Sequence, residues 1–166
     1  MSKNNISDLI PAGTIAKVKM TIKPGGYNDL QRGWTNNYAT HNTLTGSVYL
    51  NVKFTVLYGK YVGKNIFGRI GLYSGISEYW SKMGSTFVRS ILSSARGVSF
   101  FDNSIKAKNL CTITSFAEID GLEFPALINV EDDKDGNARN VIYRAITTDH
   151  KDYELFMGKS KNTIEG

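Results

Sequence analysis

Cysteine is almost missing from this chain: its 166 residues include one, Cys111. That excludes an intramolecular disulfide and a zinc site built on a cysteine cluster, and Cys111 itself reads as a small buried hydrophobe. Histidine is nearly as scarce. His41 and His150 stand far apart in polar segments, and both read as surface residues rather than catalysts or ligands. No Gly-x-x-x-x-Gly-Lys-Ser/Thr loop and no Gly-x-Ser-x-Gly elbow occurs, so a Walker-type phosphate cradle and the hydrolase nucleophile turn are both excluded. Apolar runs are all too short to cross a bilayer. No apolar stretch follows Met1-Ser2-Lys3-Asn4-Asn5, so no export signal and a cytoplasmic location are expected. With no acid–base or metal set in view, an enzyme is not expected, nor is a cofactor, a metal or a membrane partner.

Acidic residues are also scarce, but only in one part of the chain. Residues 1–110 hold 14 Lys and Arg against 4 Asp and Glu, a net +10, whereas residues 111–166 hold 6 against 11, a net −5. A basic body with an acidic remainder suggests a polyanionic partner. The alternative is that the two charge sets meet in the fold and neutralise each other.

A hydrophobic fraction of 41% and a charged fraction of 21% fit one globular domain, placed over residues 10–149 with polar tails at 1–9 and 150–166. Strict alternation marks the first strand, Thr14–Lys23: Ala16, Val18, Met20 and Ile22 face one way, Lys17, Lys19, Thr21 and Lys23 the other. A long polar stretch, 27–46, reads as a loop carrying Tyr27, Arg32, Trp34, Tyr38 and His41. Alternation returns over 47–57, with Val48, Leu50, Val52, Phe54 and Val56 inward and Tyr49, Asn51, Lys53 and Thr55 outward. A connection at 58–64, holding Lys60 and Lys64, leads to a third strand, Asn65–Tyr73, with Phe67, Arg69 and Tyr73 outward. Helical spacing then runs over Glu78–Arg96, with Ser77 as N-cap, Gly97 as C-cap and an apolar stripe of Trp80, Met83, Phe87, Val88, Ile91 and Leu92. Lys82, Arg89 and Arg96 read as its solvated face. Two further strands, 122–132 and 139–148, form a hairpin around Asp133-Lys134-Asp135-Gly136-Asn137. The whole is mainly β, an antiparallel sheet or barrel with one central helix.

The acidic run from Glu131 to Gly136 invites a calcium reading. The twelfth position from Glu131 is Ile142, which cannot supply the closing carboxylate of an EF-hand. Asp-Gly turn chemistry explains the run better.

The outward strand faces are unusual for a solvated sheet, because cations and aromatic rings interleave on them. Lysine and arginine neutralise phosphates and release counterions, and flat rings stack on unpaired bases. The expected nucleic-acid-binding residues are therefore Lys17, Lys19, Lys23, Tyr49, Lys53, Lys60, Lys64, Phe67, Arg69 and Tyr73, with Arg32, Trp34 and Tyr38 closing over the strand from the long loop. The competing reading for Tyr49 and Phe67 is burial beneath the helix.

Three segments resemble a family of small phage-encoded proteins of unknown function found beside recombination and replication genes. Ile10-Pro11-Ala12-Gly13 is similar to that family's opening. The run 49–57 followed by Gly59-Lys60-Tyr61-Val62-Gly63-Lys64 looks like its central strand and hairpin. The run 129–136 with Arg139-Asn140-Val141-Ile142 resembles its closing hairpin. The resemblance spans residues 10–148 and implies an OB-like fold, a phage or prophage origin and binding of single-stranded DNA, with a recombinase or replication protein as a candidate partner. RNA as the ligand and a homo-oligomer remain open alternatives. The competing function is a protein-interaction or structural component of a phage or mobile element. A nuclease-like enzyme ranks last.

Overall fold

Alternation fixes the first long strand and, through it, the sheet. In the computed structural model, which describes residues 8–158, Thr14–Lys23 forms β1 with Val18, Met20 and Ile22 buried and Lys19 and Lys23 exposed. Burying each such aliphatic side chain contributes roughly 1.5–3 kcal/mol. A one-residue slip would turn the lysines inward instead, so the register is strongly specified. The remaining strands are β2 (Tyr27–Asp29), β3 (Trp34–His41), β4 (Val48–Val56), β5 (Asn65–Tyr73), β6 (Glu123–Asp132) and β7 (Ala138–Ala145).

β4 organises the sheet. One edge pairs with β5 along its length, and the other is shared between β1, from Val18 opposite Val56 to Lys23 opposite Asn51, and β3, with Thr40 opposite Tyr49. β1 pairs with β6 on its other edge, and β6 with β7, all antiparallel. The order β5-β4-β1-β6-β7 curls until β5 and β7 come near each other without a ladder between them. A three-strand meander, a helix and a closing hairpin on a partly open curled sheet make an OB-like half-barrel.

The core lies inside the curl. Phe54 of β4 meets Phe124 of β6 edge-on at 6.1 Å and Phe87 at 6.2 Å. Phe87 belongs to helix α1 (Glu78–Arg96), whose Ser77 hydroxyl accepts from the Trp80 amide and whose Gly97 closes the C-terminus at φ 69°. The helix rests on β5 backbone to backbone, because Gly84 lies against Gly71 with no room for a Cβ between them. That crossing point explains one departure from the expected stripe: Met83, next to the contact, is turned to the flank and stands 52% exposed. The polar side of α1 ties loops down. Arg89 donates to the Phe100 carbonyl, and Arg96 donates to the Leu110 carbonyl at 2.7 Å and pairs with Glu118. Two short helices follow, α2 (Ile105–Leu110) and α3 (Tyr153–Met157). Among the described residues no helix is long and apolar enough to cross a membrane.

Two segments expected to be irregular are ordered. The 27–46 loop holds the β2–β3 hairpin, where Asn28 and Asn37 join side chain to side chain at 2.8 Å and Asn36 and Asn37 both take φ 64°. Ala39 is its one fully buried residue, so the segment shows no apolar alternation. The expected polar tail from residue 150 docks instead: Tyr153 is buried, and its hydroxyl donates to the Ser94 carbonyl at 2.6 Å. The other tail residues, 1–7 and 159–166, lie outside the described residues. Tyr153→Phe removes the shorter of two hydrogen bonds to that carbonyl, the other coming from the Gly97 amide at 3.4 Å, and is expected to lower stability by about 1 kcal/mol in urea unfolding; an unchanged midpoint would mean that α3 does not clasp α1. The acidic turn is built as its composition suggests. The Asp133 carboxylate accepts from the amides of Asn137 and Asp135, both at 2.9 Å. The Asn137 amide is the main cause holding that carboxyl below its ordinary range, with Asp135 and the Arg139 charge adding to it.

Candidate functional site

Register, not charge alone, assembles the outer face. Residues directly opposite in an antiparallel sheet point to the same side. Lys23, Asn51 and Arg69 therefore form one row across β1, β4 and β5, and Thr21, Lys53 and Phe67 form the next. Phe67 stands 62% exposed, an apolar ring presented to solvent beside two cations. Lys19 extends the face on β1, opposite Glu123 of β6. Lys60 and Lys64 flank the Tyr61 ring at the β4–β5 connection, at 5.6 and 5.7 Å from its centroid.

The two halves of the charge distribution meet at specific places. Lys17 with Glu123 and Arg96 with Glu118 pair across the basic and acidic parts. Among the described residues, Lys19, Lys23, Lys53, Lys60, Lys64 and Arg69 belong to no ion pair. Among the described residues, direct neutralisation of the basic part by the acidic part is limited to those two pairs.

Three expected site residues are placed differently. Tyr49 is buried at 9% exposure. Gly71 opposite it has no side chain, and the Trp80 indole of α1 fills that gap, edge-on to Tyr49 at 6.4 Å. Arg69 covers the rest of the ring, its guanidinium 4.6 Å from the centroid. Tyr49 thus positions Arg69 instead of offering its own face. Lys17 bends under α3, where its Nζ donates to the Met157 carbonyl at 3.0 Å and its side chain is only 10% exposed. Tyr73 leaves the strand row because a register shift between Val48 and Tyr49 sets it opposite the buried Val48.

Tyr73 instead joins the loop residues. The Arg32 guanidinium lies 4.5 Å from the Tyr73 ring and 5.1 Å from the Trp34 ring, and pairs with Asp29 at 3.5 Å. Tyr27 continues the file, 6.5 Å from Trp34 and 4.7 Å from His41. Tyr38 is half-buried and packs on the core. Arg32, Trp34, Leu72, Arg89, Cys111 and Phe116 lie along a groove of about 520 Å³ between this hairpin and α1.

Of the expected residues, Lys19, Lys23, Lys53, Phe67 and Arg69 share a strand face, Lys60 and Lys64 sit at the β4–β5 connection, Arg32, Trp34 and Tyr73 form a loop cluster, and Lys17, Tyr38 and Tyr49 are drawn into packing. Trp80, whose helical spacing assigns it to the core, seats Tyr49, which in turn carries Arg69. The signal for it is Gly71, a strand residue without a side chain directly opposite a tyrosine. No protein-family model matches this chain, and no curated protein matches it.

Proposed function

We propose that this chain binds single-stranded DNA without catalysing a reaction on it, in the replication or recombination of a phage or mobile element. The observation that carries the binding is the pair of cross-strand rows, Lys23–Asn51–Arg69 and Thr21–Lys53–Phe67. They cross β1, β4 and β5, the three strands of the meander, and the second and third of these supply the face through which OB folds hold oligonucleotides between two flanking loops. The cations meet phosphates and Phe67 offers a stacking surface that accepts any base, so little sequence preference is expected. The phage setting rests on the resemblance over residues 10–148 alone.

Fluorescence anisotropy with a labelled oligothymidine tests the reading. With Lys19, Lys23, Lys53 and Arg69 each neutralising one phosphate, log affinity should fall against log salt with a slope of about −3. No binding at low salt, where screening is weakest, would sink it.

A second reading, contact with a protein, is favoured by the groove beside the Trp34 hairpin, whose walls include Leu72, Val88, Leu92, Ile113 and Phe116. Association that survives nuclease digestion and is lost in Trp34→Ala would support it over DNA binding.

A further inference from the structure

The sheet curls but does not close. β5 pairs only with β4, and β7 only with β6, so an open seam separates β5 from β7. Three adjoining hollows run along it. The first, about 450 Å³, lies between Asp8, Lys64, Phe67, Arg139 and Asn140. The second, about 180 Å³, shares Phe67 and Arg139 with the first and adds Arg69, Glu131 and Ile142. The third, about 250 Å³, shares Arg69, Phe87 and Ile142 with the second and ends at Trp80, Met83 and Tyr143. The hollows adjoin through these shared walls, and Phe67 and Arg69 line them as well as the strand face.

From these shared walls we infer that the β5–β7 seam is the second half of the nucleic-acid groove, carrying the strand off the sheet face, past Arg139, to Tyr143. This rests on the binding reading above. The chemistry repeats that of the face: Lys64, Arg69 and Arg139 alternate with exposed Phe67, Met83 and Tyr143. Two carboxylates oppose them, Asp8 and Glu131, and Glu131 is paired with Arg139 at 3.4 Å. An added peptide strand fits less well. It would need a long free edge, whereas α1 closes on β5 at Gly71 and the hollows continue beyond that point. The far wall comes from the acidic part of the chain, so the site is shared by segments of opposite net charge.

The Arg139–Glu131 pair gives a test with two signs. Both side chains are about half exposed, 49% and 56%, so neither substitution empties the core. An oligothymidine of about 16 nucleotides, the upper end of what one OB-type domain covers, is titrated against the wild type and three variants. Arg139→Ala should weaken binding and lower the salt slope by about 0.7, one phosphate contact of a single strand. Glu131→Gln should strengthen binding, because it frees Arg139 and removes a charge that repels phosphate. Tyr143→Ala should weaken binding by about fivefold or more with the slope unchanged. If the wild type binds and all three variants match it, the seam is not part of the site, while the strand face stands. If the wild type does not bind, the function itself falls. Affinity that rises in Arg139→Ala or falls in Glu131→Gln also overturns the seam.

Discussion

Gly84→Ala should destabilise the fold by roughly 1–3 kcal/mol, the usual cost of overpacking. The sign is the informative part. In an exposed helix interior the same change is stabilising by about 0.8–1 kcal/mol, because alanine is the better helix former. Here a Cβ on Gly84 would run into the carbonyl oxygen of Gly71. That obstacle is backbone in a paired strand, so relief requires moving α1 bodily off β5. The damage should spread to the candidate site, because Trp80 leaves with the helix, Tyr49 loses the ring beside it, and Arg69 rests on Tyr49. Thermal and urea unfolding measure the first effect. Equal or greater stability in the variant would mean that helix and strand do not cross at these two glycines.

Removing the charge from Lys53 and Arg69 while keeping their stems, as Lys53→Gln with Arg69→Gln, should reduce the slope of log affinity against log salt by about 1.4, two phosphate contacts of a single strand. Phe67→Ala should behave in the opposite way. Loss of one stacked base costs about 1–3 kcal/mol, but no counterion is involved, so its curve should run parallel to that of the wild type. Anisotropy titrations at several salt concentrations separate the two. A Phe67→Ala curve lying on the wild-type one would show that the exposed ring does not meet a base. Phe67 projects into solvent, so removing it leaves the core intact and any loss belongs to the ligand.

Much of this fold was legible because its signals are local. Alternation over β1, β4 and β5, the Ser77 and Gly97 caps of α1, and the Asp-Gly turn between β6 and β7 depend on near neighbours. What escaped depends on partners distant in sequence. The β2–β3 hairpin is held by asparagine pairs around one buried Ala39, and polar strands have no apolar period to read. Tyr153 looks like a tail residue until Ser94 is beside it. For Tyr49 the sequence leaves exposure and burial beneath the helix both open, and Trp80, 31 residues on, decides for burial by occupying the space over Gly71. The strand face was visible because period two and cross-strand register suffice to place Lys53 near Arg69. The seam was not, because nothing local sets β7 beside β5.

The position of β1 bears on how the chain is made. It is central: β4 covers one edge, but the other waits for β6, whose Ile128 pairs with Thr14 roughly a hundred residues later. While the chain is still being extended, β1 is therefore an edge strand. The segment waiting with it is the one that carries +10, and like charge along a nascent chain opposes the pairing of one unfinished copy with another on the same message. The three lysines of β1 place like charge along that open edge, which disfavours its pairing with another unfinished strand.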